Sequence, residues 1–118
     1  MKTLIIGASN NPERYSYKAA HKLKSNDHEI IPFGVKKGEV ANETILNIWN
    51  PDWEVDTVTL YINSNLQKEY YNKIIALKPR RVIFNPGTEN PAFYPILKEN
   101  NIKFEEACTL VLLSMNTY

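Results

Sequence analysis

Short, continuous apolar runs alternate with helical patterns along most of this chain, and the first run occupies residues 3–7. An uninterrupted apolar run of this kind is typical of a strand buried on both faces, such as the central strand of a parallel sheet. Further strands are predicted at 29–33, 56–62, 81–84 and 102–104, and helices at 16–26, 65–77, 91–100 and 108–115. Because strands and helices alternate, the pattern predicts βαβ units.

The predicted fold is therefore α/β, a three-layer Rossmann-like open parallel sheet of about five strands. Right-handed crossovers restrict the strand order to 3-2-1-4-5 or 2-1-3-4-5, and both orders place a binding crevice beyond the carboxyl ends of the strands. The length of 118 residues fits a single domain over 1–118 with one core.

The segment 35–53 is the irregular part of the chain. We predict that it is mostly loop, with one helical turn near 42–46. Trp49 and Trp53 lie in a polar context there and are expected to be exposed, either on a contact surface or on a flap over a ligand.

The helix at 65–77 is predicted from apolar residues spaced along one helix face, namely Leu66, Tyr70, Ile74 and Leu77. The next helix is expected to begin with Asn90 as its N-cap and Pro91 as its first residue, because both residue types favour these positions. Pro95 is expected to distort the first turn.

Composition excludes several classes of protein. The chain has 14 basic and 13 acidic residues, a net charge of +1, whereas a nucleic-acid-binding domain usually has a basic excess. The apolar runs are far shorter than the roughly 20 residues that cross a bilayer. The single cysteine, Cys108, excludes an intramolecular disulfide and a cysteine-based metal cluster. We therefore expect a cytoplasmic protein that binds neither nucleic acid nor membrane.

Four loops are expected to line the crevice, at 7–16, 33–38, 63–65 and 85–90. They are rich in Gly, Ser, Asn, Pro and Lys, which offer backbone N–H groups, hydroxyls, amides and cations. The N-termini of the helices add partial positive charge at the same edge of the sheet. The crevice is therefore predicted to bind an anion, with phosphate as the favoured group.

The first loop departs from the dinucleotide-binding pattern G-x-G-x-x-G. Gly7 supplies the tight turn, but Ser9 and Pro12 stand where the second and third glycines are expected. An NAD site also expects an acidic residue after the second strand, and this chain has Lys36 and Lys37 in that region. Two lysines suit a phosphate instead, such as that on the ribose of NADP or of coenzyme A.

Three motifs carry a family resemblance: the turn Gly7-Ala8-Ser9-x-x-Pro12, the strand end Ile31-Pro32-Phe33-Gly34, and the pair Lys37-Gly38. In this order they resemble the CoA-binding domain family, small Rossmann-like proteins similar to the N-terminal domain of the succinyl-CoA synthetase alpha subunit. The resemblance covers essentially the whole chain and continues through residues 61–64, residues 85–87 and Cys108.

The resemblance implies a site for coenzyme A or an acyl-CoA. It implies that the first loop, with Ser16, cradles the phosphates, that Lys37 and Lys36 meet a phosphate, and that the later loops line the nucleotide or pantetheine. Arg14 and Tyr15 flank the first loop and can cover an adenine by stacking. The candidate binding residues are Gly7, Ala8, Ser9, Asn10, Pro12, Arg14, Tyr15, Ser16, Gly34, Val35, Lys36, Lys37, Asn63, Ser64, Asn85, Pro86 and Gly87.

Candidate catalytic residues are few. Cys108 is flanked by acidic residues and leucines, which favours a buried small hydrophobe over a nucleophile. His21 falls within a predicted helix and His28 at the end of a strand opposite the crevice, away from the expected position of chemistry. Glu89 lies in a crevice loop, where capping or solvation is its favoured role. No residue is therefore assigned to catalysis, and no metal ligands are predicted.

The sequence thus favours a small coenzyme A or acyl-CoA binding protein without catalytic machinery, whose partner is a nucleotide cofactor. One alternative is an NADP-dependent or acyl-CoA-processing enzyme, which would need Glu89 or Cys108 as its reactive group. Another is a regulatory domain that has lost ligand binding and acts through an unspecified protein partner.

Overall fold

The computed structural model describes residues 1–118 and shows a central sheet of five parallel strands. The elements in chain order are β1 (Lys2–Ile6), α1 (Tyr15–Ser25), β2 (Glu29–Phe33), β3 (Glu39–Val40), β4 (Glu43–Thr44), β5 (Thr57–Leu60), α2 (Ser64–Gln67), a 3₁₀ helix (Lys68–Tyr70), α3 (Tyr71–Leu77), β6 (Arg81–Phe84), α4 (Tyr94–Glu99), β7 (Lys103–Glu106) and α5 (Thr109–Ser114).

The strands of the main sheet are ordered β2-β1-β5-β6-β7, and every neighbouring pair is parallel. This is the second of the two predicted orders, with β1 inside the sheet. The chain passes from β1 outward to β2 and then back across β1 to β5. The order therefore reverses between β1 and β5, where parallel α/β sheets form their ligand crevice.

The apolar run of β1 is explained by burial on both faces of the sheet. Leu4 and Ile6 belong to one core cluster, which also contains residues of α3 and α4. Ile5 faces the other way and belongs to a second cluster with Leu23 of α1 and Leu113 of α5. Helices thus cover both faces, and the predicted three-layer α/β architecture is confirmed.

The helical turn predicted near 42–46 is wrong, because this segment contains a β-hairpin. Strands β3 and β4 pair antiparallel, and Ala41 and Asn42 between them have φ angles of 51° and 63°. Two consecutive positive φ angles are typical of the two-residue turn that matches the twist of a hairpin. Leu46 then forms a parallel bridge with Phe33 at the end of β2.

The two tryptophans are not exposed as predicted, since both are half-buried. The ring centroids of Trp49 and Trp53 lie 5.3 and 5.8 Å from that of Phe33. Tyr70 completes this aromatic cluster, with its centroid 5.7 Å from Phe33. The segment 35–53 is thereby packed onto the end of β2 by aromatic contacts.

The single helix predicted at 65–77 is divided into α2, the 3₁₀ helix and α3. Leu66, expected on the buried face, is 50% exposed, whereas Gln67 is fully buried. The carboxamide of Gln67 donates to the carbonyl groups of Ile62 and Thr88 at 2.9 and 2.8 Å. The pattern therefore missed a polar side chain that is buried to connect two loops.

Helix α4 begins at Tyr94 and not at Pro91. The Asn90 side chain does not cap this helix, because its amide donates to Gln67 and Tyr71 at 2.9 and 2.7 Å. Pro95 lies in the first turn, where a fixed φ and a missing N–H are tolerated. None of the helices combines the length and apolar character needed to cross a bilayer.

Candidate functional site

A cleft of about 660 Å³ lies beyond the carboxyl ends of β1, β2, β5 and β6, at the reversal of strand order. We call it the main cleft, and its volume is within the range of about 300–1,000 Å³ of small-molecule sites. Twelve of the predicted binding residues line it, namely Gly7, Ala8, Ser9, Asn10, Arg14, Tyr15, Ser16, Val35, Lys36, Asn63, Pro86 and Gly87.

The turn after β1 is built around Gly7, which has a φ of +98°. A Cβ at this position would lie 3.0 Å from the carbonyl oxygen of Tyr61, so the turn lies directly against the segment after β5. The N–H groups of Gly7 and Ala8 both donate to the carbonyl group of Phe33 at 2.9 Å. These two donors are used to connect β1 with β2, so an anion must use donors further along the loop.

The N-terminus of α1 faces the main cleft. Its N-cap residue, Arg14, makes no side-chain capping bond, and the first turn contains no acidic residue. Ser16 lies in this first turn, is only 4% exposed and lines the cleft. Ser9 does not cap the helix either, since its hydroxyl accepts from the N–H of Asn11 at 3.0 Å. The positive end of the helix is therefore suited to an anion.

The loop after β2 forms a second wall of the main cleft. Its shape is held by Asn47, whose amide donates to the carbonyl groups of Gly34 and Lys36 at 2.7 and 3.0 Å. Lys36 and Lys37 are both exposed, and of the two only Lys36 lines the cleft. No role was predicted for the Asn47 side chain, because the hairpin segment brings it to the carbonyl groups of Gly34 and Lys36 only in the folded chain.

The opposite wall follows β5 and β6. Asn63 caps α2, with its side-chain oxygen accepting from the N–H of Leu66 at 3.0 Å. Gly87 lines the cleft, and its N–H donates to the carboxylate of Glu89 at 2.9 Å. Glu89 itself does not line the cleft, and its carboxylate stabilises the loop in which it lies.

Asn85 was predicted as a binding residue, but it lies outside the main cleft and is 2% exposed. Its amide donates to the hydroxyl of Thr59 at 2.7 Å and to the carbonyl group of Leu60 at 2.8 Å. Its side-chain oxygen accepts from the N–H of Thr109 at 2.9 Å. Asn85 therefore connects the ends of β5 and β6 to the start of α5.

A smaller cavity of about 250 Å³, which we call the side cavity, lies next to the main cleft and is lined mainly by apolar residues. Its six lining residues are Tyr15, Tyr61, Asn85, Pro86, Cys108 and Leu110, and Tyr15, Tyr61 and Pro86 also line the main cleft. Cys108 is half-buried at the N-cap of α5 with a free thiol, so it is less buried than expected.

Four predicted residues line neither cavity: Pro12, Gly34, Lys37 and Ser64. Pro12 and Lys37 are exposed beside residues that do line the cleft. Gly34 is buried beneath the first loop, where its Cα lies against the backbone of Ala8. Ser64 is the first residue of α2, directly after Asn63.

Five residues of the main cleft are not among the candidate binding residues, although three of them fall within loops predicted to line it. The five are Asn11, Glu13, Tyr61, Ile62 and Thr88, and the three are Asn11, Glu13 and Thr88. Tyr61 and Ile62 were assigned to a strand, which in the structure ends at Leu60. Glu13 places a carboxylate in a cleft that was predicted to bind an anion. Residues that directly follow a buried strand are candidates for lining the cleft. This rule identifies Tyr61 and Ile62 once β5 is known to end at Leu60.

The histidines lie away from the cleft. His28 precedes β2 at the opposite edge of the sheet, with its ring centroid 4.9 Å from that of Tyr118. Burial lowers the pKa of His28 below its ordinary value. No group of three or more His, Cys, Asp or Glu side chains is arranged to hold a metal ion.

The fold and the cleft define a Rossmann-like α/β protein with an anion-compatible site at its strand-order reversal. The CoA binding domain family matches residues 1–114, and the chain belongs to this family. No curated protein matches the sequence.

Solved structures agree with this assignment. A crystal structure of an uncharacterized protein has 56% sequence identity and a TM-score of 0.96, over 99% of this chain and 97% of that one. A hypothetical protein from Pyrococcus horikoshii OT3 has 20% identity and a TM-score of 0.86, over 96% and 81% of the two chains. The Thermus thermophilus structure of cell-free ID.343 has 19% identity and a TM-score of 0.84, over 99% and 90%. At these lower identities the likeness concerns the fold alone.

Proposed function

We propose that this protein binds coenzyme A, or an acyl thioester of coenzyme A, in the main cleft and has no catalytic machinery of its own. The observation that carries the proposal is the first turn of α1. It faces the cleft with no side-chain cap and no acidic residue, opposite the cation of Lys36. Membership of the CoA binding domain family supports this choice of anion.

In this proposal the diphosphate of coenzyme A lies at the N-terminus of α1, next to Ser16. The Lys36 ammonium group meets a phosphate from the loop after β2, and Tyr15, which is 67% exposed, offers its ring to the ligand. A charge-assisted hydrogen bond contributes about 1.5–3 kcal/mol, more than the roughly 0.3–1 kcal/mol of an exposed helix end. Lys36 therefore contributes more to affinity than the helix end alone.

The absence of catalysis is proposed from the composition of the main cleft. No histidine or cysteine lines it, and its one carboxylate, Glu13, is exposed. A general base must be held within hydrogen-bond reach of the proton that it abstracts, and no side-chain hydrogen bond or ion pair holds the Glu13 carboxylate in place. The main cleft thus offers binding groups and no activated base, and Cys108 in the side cavity has no histidine or cation among the lining residues to activate its thiol.

Calorimetric titration and thermal unfolding with coenzyme A, dephospho-CoA, NADP and NAD test the proposal. A ligand that binds only the folded state adds about 2.7 kcal/mol at 100 times its dissociation constant. We expect coenzyme A to give the largest rise in Tm. A larger rise with NADP would favour the NADP-dependent alternative, and no rise with millimolar coenzyme A would contradict the proposed function.

A further inference from the structure

The side cavity is lined by residues that follow β5, β6 and β7, together with Tyr15 at the start of α1. Lys36 follows β2 at one edge of the sheet, and Cys108 follows β7 at the other. With neighbouring strands about 4.8 Å apart, the four steps from β2 to β7 span about 19 Å. A coenzyme A held by its phosphates at α1 and Lys36 therefore has room to extend its pantetheine arm toward β6 and β7.

The two spaces adjoin. Tyr15, Tyr61 and Pro86 line both the main cleft and the side cavity. A ligand that follows the wall formed by Pro86 passes from the polar cleft to the apolar cavity without crossing a strand. The thiol end of coenzyme A, where an acyl group is attached, is the part of the ligand that reaches the cavity in this direction.

The lining of the side cavity favours an apolar group. The polar atoms of Asn85 are already bonded to Thr59, Leu60 and Thr109. The hydroxyl of Tyr61 is buried without a hydrogen-bond partner, and the nearby Thr59 and Thr109 hydroxyls are bonded to each other at 2.8 Å. Burial raises the pKa of Tyr61 far above its ordinary value, so the hydroxyl stays neutral. The lining has no cation for a carboxylate, and an unpaired buried charge is strongly unfavourable.

We propose that the ligand is a short-chain, apolar acyl-CoA whose acyl group occupies the side cavity; this inference rests on the coenzyme A binding proposed above. The volume of about 250 Å³ sets an upper limit on the acyl group and is too small for a long chain such as palmitoyl. Leu110 of α5 lines the cavity, so a change in the size of this side chain changes the space for the acyl chain.

Calorimetric titration of the wild-type protein with coenzyme A, acetyl-CoA, butyryl-CoA, succinyl-CoA and palmitoyl-CoA tests the inference. Burial of a methylene group contributes about 0.8 kcal/mol, or about four-fold in affinity. We expect butyryl-CoA to bind at least about ten-fold tighter than acetyl-CoA, because it buries two more methylenes. Palmitoyl-CoA should gain nothing further over butyryl-CoA, and succinyl-CoA should bind no tighter than acetyl-CoA.

Two substitutions of Leu110 separate the cavity from the rest of the site. Leu110→Trp fills the cavity and should remove the preference for butyryl-CoA over acetyl-CoA, with a much smaller effect on the affinity for coenzyme A itself. Leu110→Ala enlarges the cavity and should move the preference to a longer acyl chain. Val111→Trp is the matched control, because Val111 is on the same helix, is 50% exposed and lines neither cavity.

The outcomes distinguish this inference from the proposed function. If coenzyme A binds but butyryl-CoA binds no tighter than acetyl-CoA, the acyl site is refuted and coenzyme A binding stands. If Leu110→Trp weakens coenzyme A and butyryl-CoA by the same factor, another part of the ligand, such as the adenine, occupies the cavity. If coenzyme A and its thioesters all fail to bind, both proposals fail.

Discussion

The Cα of Gly34 lies against the carbonyl group of Ala8, so closely that a Cβ at position 34 would be 2.4 Å from that oxygen. The loops after β1 and β2 thus touch backbone to backbone at this point. A second contact joins them where the Asn10 side chain lies against Gly38, at 2.7 Å from the position of a Cβ. Together these contacts fix the separation between the first loop and Lys36 across the main cleft.

Gly34→Ala should lower both stability and coenzyme A affinity, because the added methyl group forces the backbone of one loop to move. Overpacking of this kind costs about 1–3 kcal/mol. The measurement is urea unfolding together with calorimetric titration of coenzyme A. Lys37→Ala in the same loop is the control and should change stability by less than about 0.5 kcal/mol. Unaltered unfolding of Gly34→Ala would show that the loops are free to separate.

Lys36→Ala should weaken coenzyme A binding by about ten-fold, at the low end of a charge-assisted hydrogen bond for an exposed lysine. Lys37→Ala should have a much smaller effect, since Lys37 does not line the cleft. Titrations of both variants with coenzyme A and with dephospho-CoA provide the comparison. If Lys37→Ala causes the larger loss, the loop after β2 moves when the ligand binds and the neighbouring lysine makes the contact.

Asn85→Asp and Asn63→Asp should behave in opposite ways. At position 85 a buried carboxylate would face the carbonyl group of Leu60, and we expect a loss of about 3 kcal/mol in the free energy of unfolding. At position 63 aspartate retains the cap of α2, so stability should be unchanged. The new charge at 63 should weaken coenzyme A binding about five-fold through a repulsion of about 1 kcal/mol.

Urea unfolding and coenzyme A titration of both asparagine variants check this pair of predictions. A stable Asn85→Asp protein would mean that the connection between β6 and α5 does not depend on this side chain. A coenzyme A affinity that is unaltered in Asn63→Asp would place the anionic part of the ligand away from α2.

Asp56 and Arg80 form a bidentate ion pair, in which both nitrogen–oxygen distances are 2.9 Å. The hydrogen bond from Arg80 is the main reason why the pKa of Asp56 lies below its ordinary value. A lowered folded-state pKa contributes stability that is fully present above the unfolded pKa of about 3.9 and is lost as the pH falls through the folded value. Asp56→Asn should therefore be less stable than wild type by about 0.5–1 kcal/mol at pH 7.

Unfolding at pH 7 and at pH 3 measures this dependence. The difference between wild type and Asp56→Asn should shrink at pH 3, where the carboxylate of the wild type begins to take up its proton. Asp52→Asn is the control, because Asp52 is exposed and forms no ion pair. If the difference in the free energy of unfolding is equal at both pH values, the effect comes from hydrogen bonds of residue 56 that do not depend on its charge.

The main sheet could be predicted because the residues of each strand form a recognisable pattern without reference to the rest of the chain. The run in β1 is apolar on both faces, and the bounds of β2 and β6 match the predicted ranges. The hairpin of β3 and β4 could not be predicted, because its turn contains Ala41, and alanine rarely adopts a positive φ. Gln67 was missed for a related reason: its partners, the carbonyl groups of Ile62 and Thr88, are brought together only by the folded chain.

The position of the cleft could be predicted from topology, because the carboxyl ends of parallel strands meet at one edge. Individual side chains were harder to assign. Lys36 and Lys37 are neighbours of the same type, and the course of the folded loop, to which Asn47 is bonded at Lys36, decides which of them lines the cleft. Asn85 follows β6 as a ligand-binding residue would, but its three bonds are all within the protein.

The aromatic cluster at the end of β2 gives the protein an internal fluorescent reporter. The chain has two tryptophans, and their ring centroids lie 5.1 Å apart, both against Phe33. The carbonyl group of Phe33 accepts hydrogen bonds from the N–H groups of the turn after β1. Phe33 therefore contacts the two indoles through its ring and this turn through its backbone. A change in tryptophan emission therefore reports on this corner of the molecule, and a group confined to the side cavity leaves it unaltered.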